Sequence, residues 1–75
     1  MNRQRRKMLE KAVGMLADAR NLIEEALEEE QEAFDNMPEG FQQSERGEQM
    51  EEYVSTLEEI VSNLEDAEEG IEEML

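Results

Sequence analysis

Apolar residues recur along most of this chain at alternating intervals of three and four, the spacing that lines one face of a helix. The first series is Leu9, Ala12, Leu16, Ala19, Ile23, Ala26, Glu30 and Ala33, widened by Met8, Met15, Leu22 and Leu27. Asn2 is a good N-cap, so this periodicity predicts a helix over about 3–35. The stretch Asp35-Asn36-Met37-Pro38-Glu39-Gly40 interrupts it. Pro38 disfavours a helical Met37, Gly40 permits a turn, and Pro38 can open a short helical turn through Phe41. Ser44 then caps a second helix over about 45–75, with 36–44 as the loop. Its apolar series is Met50, Tyr53, Leu57, Ile60, Leu64, Ala67, Ile71 and Met74, flanked by Val54, Val61 and Leu75.

Two long helices joined by a short connection pack as antiparallel neighbours. The expected fold is therefore an all-α, coiled-coil helical hairpin forming a single domain over residues 1–75. Residue size suggests a register in which facing residues have numbers summing to 83. Ala12 then meets Ile71, Ala19 meets Leu64, Ala26 meets Leu57, and the one polar member, Glu30, meets the hydroxyl of Tyr53. Met15, Leu22, Val54 and Val61 fall outside that seam. A lone hairpin would leave them wet, so they are candidate contacts for a homodimer, a four-helix bundle. Phe34, Met37 and Phe41 are expected to plug the loop end.

Charge changes the picture more than hydropathy does. The 75 residues include 22 Asp+Glu, 7 Lys+Arg and no His, a formal net charge of −15. Residues 1–11 hold five basic residues and one acidic, a local +4, whereas 65–73 hold six acidic residues. Each block opposes its own helix dipole, and antiparallel pairing is expected to bring the two together so that they offset each other. The negative charge should keep the chain off bare DNA, RNA and anionic lipid. No apolar run approaches the ~20 residues needed to span a bilayer, and the basic N-terminus lacks the apolar core of a signal peptide. A cytoplasmic protein that does not engage membranes is the expectation.

The second helix carries acidic pairs at a seven-residue interval: Glu51/Glu52, Glu58/Glu59, Glu65/Asp66 and Glu72/Glu73. The repeat is roughly 10 Å along a helix. From Glu48 onward there are eleven acidic residues and no Lys or Arg. A face built only for solubility usually mixes signs. The ladder is therefore a candidate anionic surface that imitates nucleic-acid phosphates and occupies a basic groove on a protein partner.

Other chemistry finds little support. With no Cys, disulfide and thiolate–zinc staples are excluded. A di-iron bundle needs inward Glu and Glu-x-x-His motifs, and there is no His. The Asp35–Arg46 segment carries Gly40 at its sixth place but has Met37 at its third and Arg46 where a calcium loop needs a bidentate Glu. No cofactor or metal site is expected. Ser44, Ser55 and Ser62 lack a candidate base, and there is no Gly-rich phosphate loop, so catalysis is not expected. Arg3, Arg5, Arg6 and Lys7 have no interleaved aromatic residue and read as electrostatic balance rather than a nucleic-acid site.

The central segment EEEQEAFDNMPEGFQQSERGEQMEE, residues 28–52, resembles a block found in small acidic helical proteins of phages and mobile elements of Gram-positive and gut bacteria. Their pattern is similar to a basic N-terminus, a Glu-rich helix, EQEAFDN-[LM]-PE, SERGE, and a second Glu-rich helix. Gly40 and Phe41 depart from it, a Ser–Leu pair being commoner there. The resemblance implies no particular activity. Its genetic setting implies host takeover or defence evasion. The expectation is a non-enzymatic acidic interaction module, an inhibitor of a basic nucleic-acid-binding protein. The alternative is an assembly module that binds a partner helix through its apolar stripe.

Overall fold

The computed structural model describes residues 1–75 and is entirely helical outside its turns. Helix α1 spans Arg3–Asp35, a single turn α2 spans Glu39–Gln42, and α3 spans Glu45–Glu72. Asn2 caps α1, its side chain accepting from the Arg5 amide at 2.9 Å. Ser44 caps α3, accepting from the Gly47 amide at 3.3 Å. Both caps satisfy amides that a helix start leaves without partners. Pro38 sits just ahead of α2, and its carbonyl accepts from the amides of Phe41 and Gln42.

The helices α1 and α3 run antiparallel as a rod of 58 × 14 × 13 Å. Its radius of gyration is 17.1 Å, where a compact chain of this length would have about 11 Å. There is no central core, only a seam. On α3 the seam follows Gly47, Met50, Val54, Leu57, Val61, Leu64, Glu68 and Ile71, all buried or half-buried. On α1 it follows Leu9, Ala12, Val13, Leu16, Ala17, Arg20, Ile23, Glu24, Leu27, Glu30, Gln31 and Phe34. Only two apolar side chains are properly buried, Val54 at 8% and Val61 at 9% exposure.

This seam corrects the expected one. Tyr53 (51% exposed), Ile60 (37%) and Met74 point outward, as do Ala19, Ala26, Ala33 and Ala67. Val54 and Val61, expected to reach a second copy, lie inside the hairpin. Across the seam Arg20 meets Glu68. No hydrogen bond joins Glu30 to Tyr53. The physical reason is that two apolar stripes adjoin on each helix with the same period, and the one that closes the hairpin is chosen by an ion pair and a steric fit rather than by hydropathy. At the loop end, Phe34 and Met37 are half-buried as expected, but Phe41 is exposed.

At the open end of the hairpin, Leu9 and Ala12 are half-buried. Residues 1–8 are all exposed. No ion pair joins the basic block to the 65–73 acidic block. The chain's ion pairs all belong to Arg20.

Candidate functional site

Because the seam of α3 takes positions 54, 61 and 68, the acidic pairs fall on its outer side. Glu51, Glu52, Glu58, Glu59, Glu65, Asp66, Glu72 and Glu73 are all exposed. None of them is ion-paired within the chain. The ladder is thus a continuous row of carboxylates along a straight helix, with no counter-charge of its own.

One acidic residue between the pairs behaves differently. Glu68 is buried at 8% exposure. It accepts from Arg20 Nε at 2.7 Å and from Arg20 Nη2 at 3.4 Å, while Arg20 Nη1 donates to Glu24 at 2.9 Å. The guanidinium fork therefore clasps α3 to α1 with a two-point contact that a lysine could not reproduce. The hydrogen bond to Glu68, then that to Glu24, raises the pKa of Arg20 above its already high ordinary value, so it stays charged. Sliding the helices by one heptad would part Glu68 from Arg20 and leave an unpaired charge in the seam. The clasp thus fixes register. Arg20 is the only basic residue between positions 12 and 45, which is the signal in the sequence that could have singled it out.

A second position was also missed. Gly47 is buried where the first turn of α3 crosses the end of α2. A Cβ there would lie 2.6 Å from the Gln42 carbonyl carbon and 2.7 Å from its Cα. The same Gln42 sends its side-chain amide to the Phe34 carbonyl at 2.9 Å, tying α2 to the end of α1. Ser44 Oγ donates to the Phe41 carbonyl. The corner is a backbone-to-backbone contact held by polar side chains.

Of the expected dimer contacts, Met15 (63% exposed) and Leu22 (67%) stand on the surface. With Met8 they form an exposed stripe on α1, one position ahead of the seam residues Leu9, Leu16 and Ile23. On α3, Tyr53, Ile60 and Ala67 likewise stand one position ahead of Val54, Val61 and Glu68. One position is the same rotation on each helix, about 100°. In antiparallel helices that face each other, equal rotations in the same sense turn both stripes to one side of the hairpin. The result is one uncovered apolar face, with the acidic ladder of α3 turned away from it.

Nothing in the structure forms an enclosed ligand cavity. The largest surface hollow is lined by Glu45, Arg46, Glu48, Gln49 and Glu52, with no apolar wall, unlike the apolar clefts that take small molecules. No group of three or more carboxylates is placed to hold a metal ion. No helix is long and apolar enough to cross a membrane. Among known proteins, no family, no curated protein and no solved structure matches this chain.

Proposed function

We propose that this chain is a non-enzymatic protein-interaction module whose α3 ladder occupies a basic, nucleic-acid-binding surface of a protein partner. The observation that carries this reading is the row of eight exposed, unpaired carboxylates at heptad spacing on a helix that has no basic residue after Arg46. Such a row presents regularly spaced negative charge, as a phosphate backbone does, without the bases. The resemblance to phage and mobile-element proteins suits an inhibitor acting in a host cytoplasm. A specific observation also favours self-association as a homodimer: a 75-residue hairpin with two buried apolar side chains has little core, and small domains of this kind are commonly completed by a partner.

The test uses a variant with Glu51, Glu52, Glu58, Glu59 and Glu65 changed to Gln and Asp66 to Asn. All six side chains are exposed and each amide is close in shape to its acid, so helix content should be unchanged by circular dichroism. Wild type and variant are immobilised and used to capture proteins from a bacterial lysate. The proteins retained only by wild type are then measured for binding kinetics. Association should slow roughly tenfold at low salt, because dispersed charge steers encounter. Moderate salt should mimic the substitution, and DNA should displace the partner. Equal association rates with an intact fold would instead assign binding to the apolar face, the assembly-module reading.

A further inference from the structure

The uncovered face of α1 is self-complementary, and we propose that two copies pair through it, antiparallel, about a two-fold axis level with Ala17. This rests on the self-association part of the reading above and is independent of the acidic ladder. The stripe continues upstream and downstream of Met8, Met15 and Leu22 at alternating intervals of three and four. Its large members alternate with Ala12, Ala19 and Ala26. In an antiparallel pair of such helices each large residue faces a small one. With facing numbers summing to 34, Met15 meets Ala19, Leu22 meets Ala12, and Met8 meets Ala26 of the second copy. Alternation of this kind allows close approach.

Size alone does not set the register, since a shift by one heptad also matches large to small. Charge does. The stripe has two charged members, Arg5 and Glu29, and their numbers also sum to 34. A heptad shift in either direction separates them, placing Arg5 against Leu22 or Glu29 against Ala12. The flanking residues agree. Residues 1–11, with their net +4, lie level with residues 23–33 of the second copy, which hold six acidic residues and no basic one. Lys11 approaches Glu25. The one like-charge contact created is Asp18 against Asp18 at the axis, where both are exposed.

The N-terminal arm gives this arrangement its second support. Residues 1–8 are all exposed. The basic arm, which has no ion pair within its own chain, reaches the most acidic part of α1 in the other.

The experiment is double electron–electron resonance on the full chain, which has no cysteine of its own. Nitroxide labels are attached at Lys7→Cys in one variant and Glu28→Cys in another, both sites being exposed. The two-fold register places the paired labels about 30 Å apart in both variants. A heptad shift would give about 20 Å at one site and about 40 Å at the other, and a parallel pair would give short distances at both. Any of these results overturns the register while leaving a dimer. Sedimentation equilibrium that finds only the 8.7 kDa species at the labelling concentration overturns self-association itself. A charge swap reads the same contact without labels. Arg5→Glu should weaken the dimer roughly tenfold, counting two symmetric contacts. Adding Glu29→Arg in the same chain should restore it, since the net charge returns to its original value and the pair is rebuilt with opposite polarity. Failure of the double variant to recover would count against the register.

Discussion

Replacing Gly47 with alanine is expected to destabilise the hairpin by roughly 1–3 kcal/mol, the reverse of what helix propensity predicts. In an exposed helix interior alanine is better than glycine by about 1 kcal/mol. At Gly47 the added Cβ would meet the Gln42 carbonyl group. Backbone cannot rotate away as the end of a side chain can, so α2 must separate from α3. That movement would also draw Gln42 from its hydrogen bond to Phe34 and open the corner that joins the two long helices. Gly14 and Gly70 provide the control, because a Cβ at either meets nothing within 4 Å. Alanine there should stabilise by roughly 0.5–1 kcal/mol. Thermal melts of the three variants should therefore split, Gly47→Ala falling by roughly 10 °C and the others rising by several degrees. A Gly47→Ala protein that melts with the controls would show that the close approach does not exist in solution.

The second large effect belongs to the clasp, and it is asymmetric. Arg20→Met leaves the Glu68 carboxylate in the seam with no partner. Breaking a buried pair from one side is strongly destabilising, and the melting temperature should fall by roughly 10 °C or more. Glu68→Leu should cost less, because Arg20 keeps Glu24 and its long side chain can turn to water. The double variant Arg20→Met/Glu68→Leu replaces the pair with apolar groups and should melt within about 5 °C of wild type or above it. What the double variant should lose is uniqueness of register, since a heptad slip would no longer strand a charge. The same spin-label method, with one label on each helix, would report this as a second distance population. If Arg20→Met melts as wild type does, the clasp contributes nothing and some other contact must set the register.

These two sites show where sequence reading reached its limit. The helix limits, both caps and the break at Pro38 were legible because they depend on local chemistry: Asn2 and Ser44 offer acceptors to their own helices, and proline restricts its own neighbour. The ladder was legible too, since its exposure follows from its spacing. The choice of seam was not. Met50, Leu57, Leu64 and Ile71 belong equally to a stripe completed by Tyr53, Ile60 and Ala67 and to one completed by Val54, Val61 and Glu68. Hydropathy prefers the first. The structure takes the second because Glu68 finds Arg20, a partner 48 positions away that no periodic rule connects to it. Gly47 escaped notice for a related reason: its constraint is a crossing in space, not a positive φ that a turn would demand. The residues left over by this choice are the ones that make the outer apolar face.

The basic N-terminal arm also makes the chain its own protease reporter. Trypsin cuts after Lys and Arg, and five of the seven such residues, Arg3, Arg5, Arg6, Lys7 and Lys11, lie in the arm. Of the remaining two, Arg20 is held in the clasp and Arg46 opens α3. Digestion of the separate hairpin should therefore release short N-terminal fragments ending at Lys11, with the exposed Arg46 as the one other accessible cut. Whatever covers the arm would silence that cleavage, and the rate at which the first fragments are released would measure how often the arm is bare.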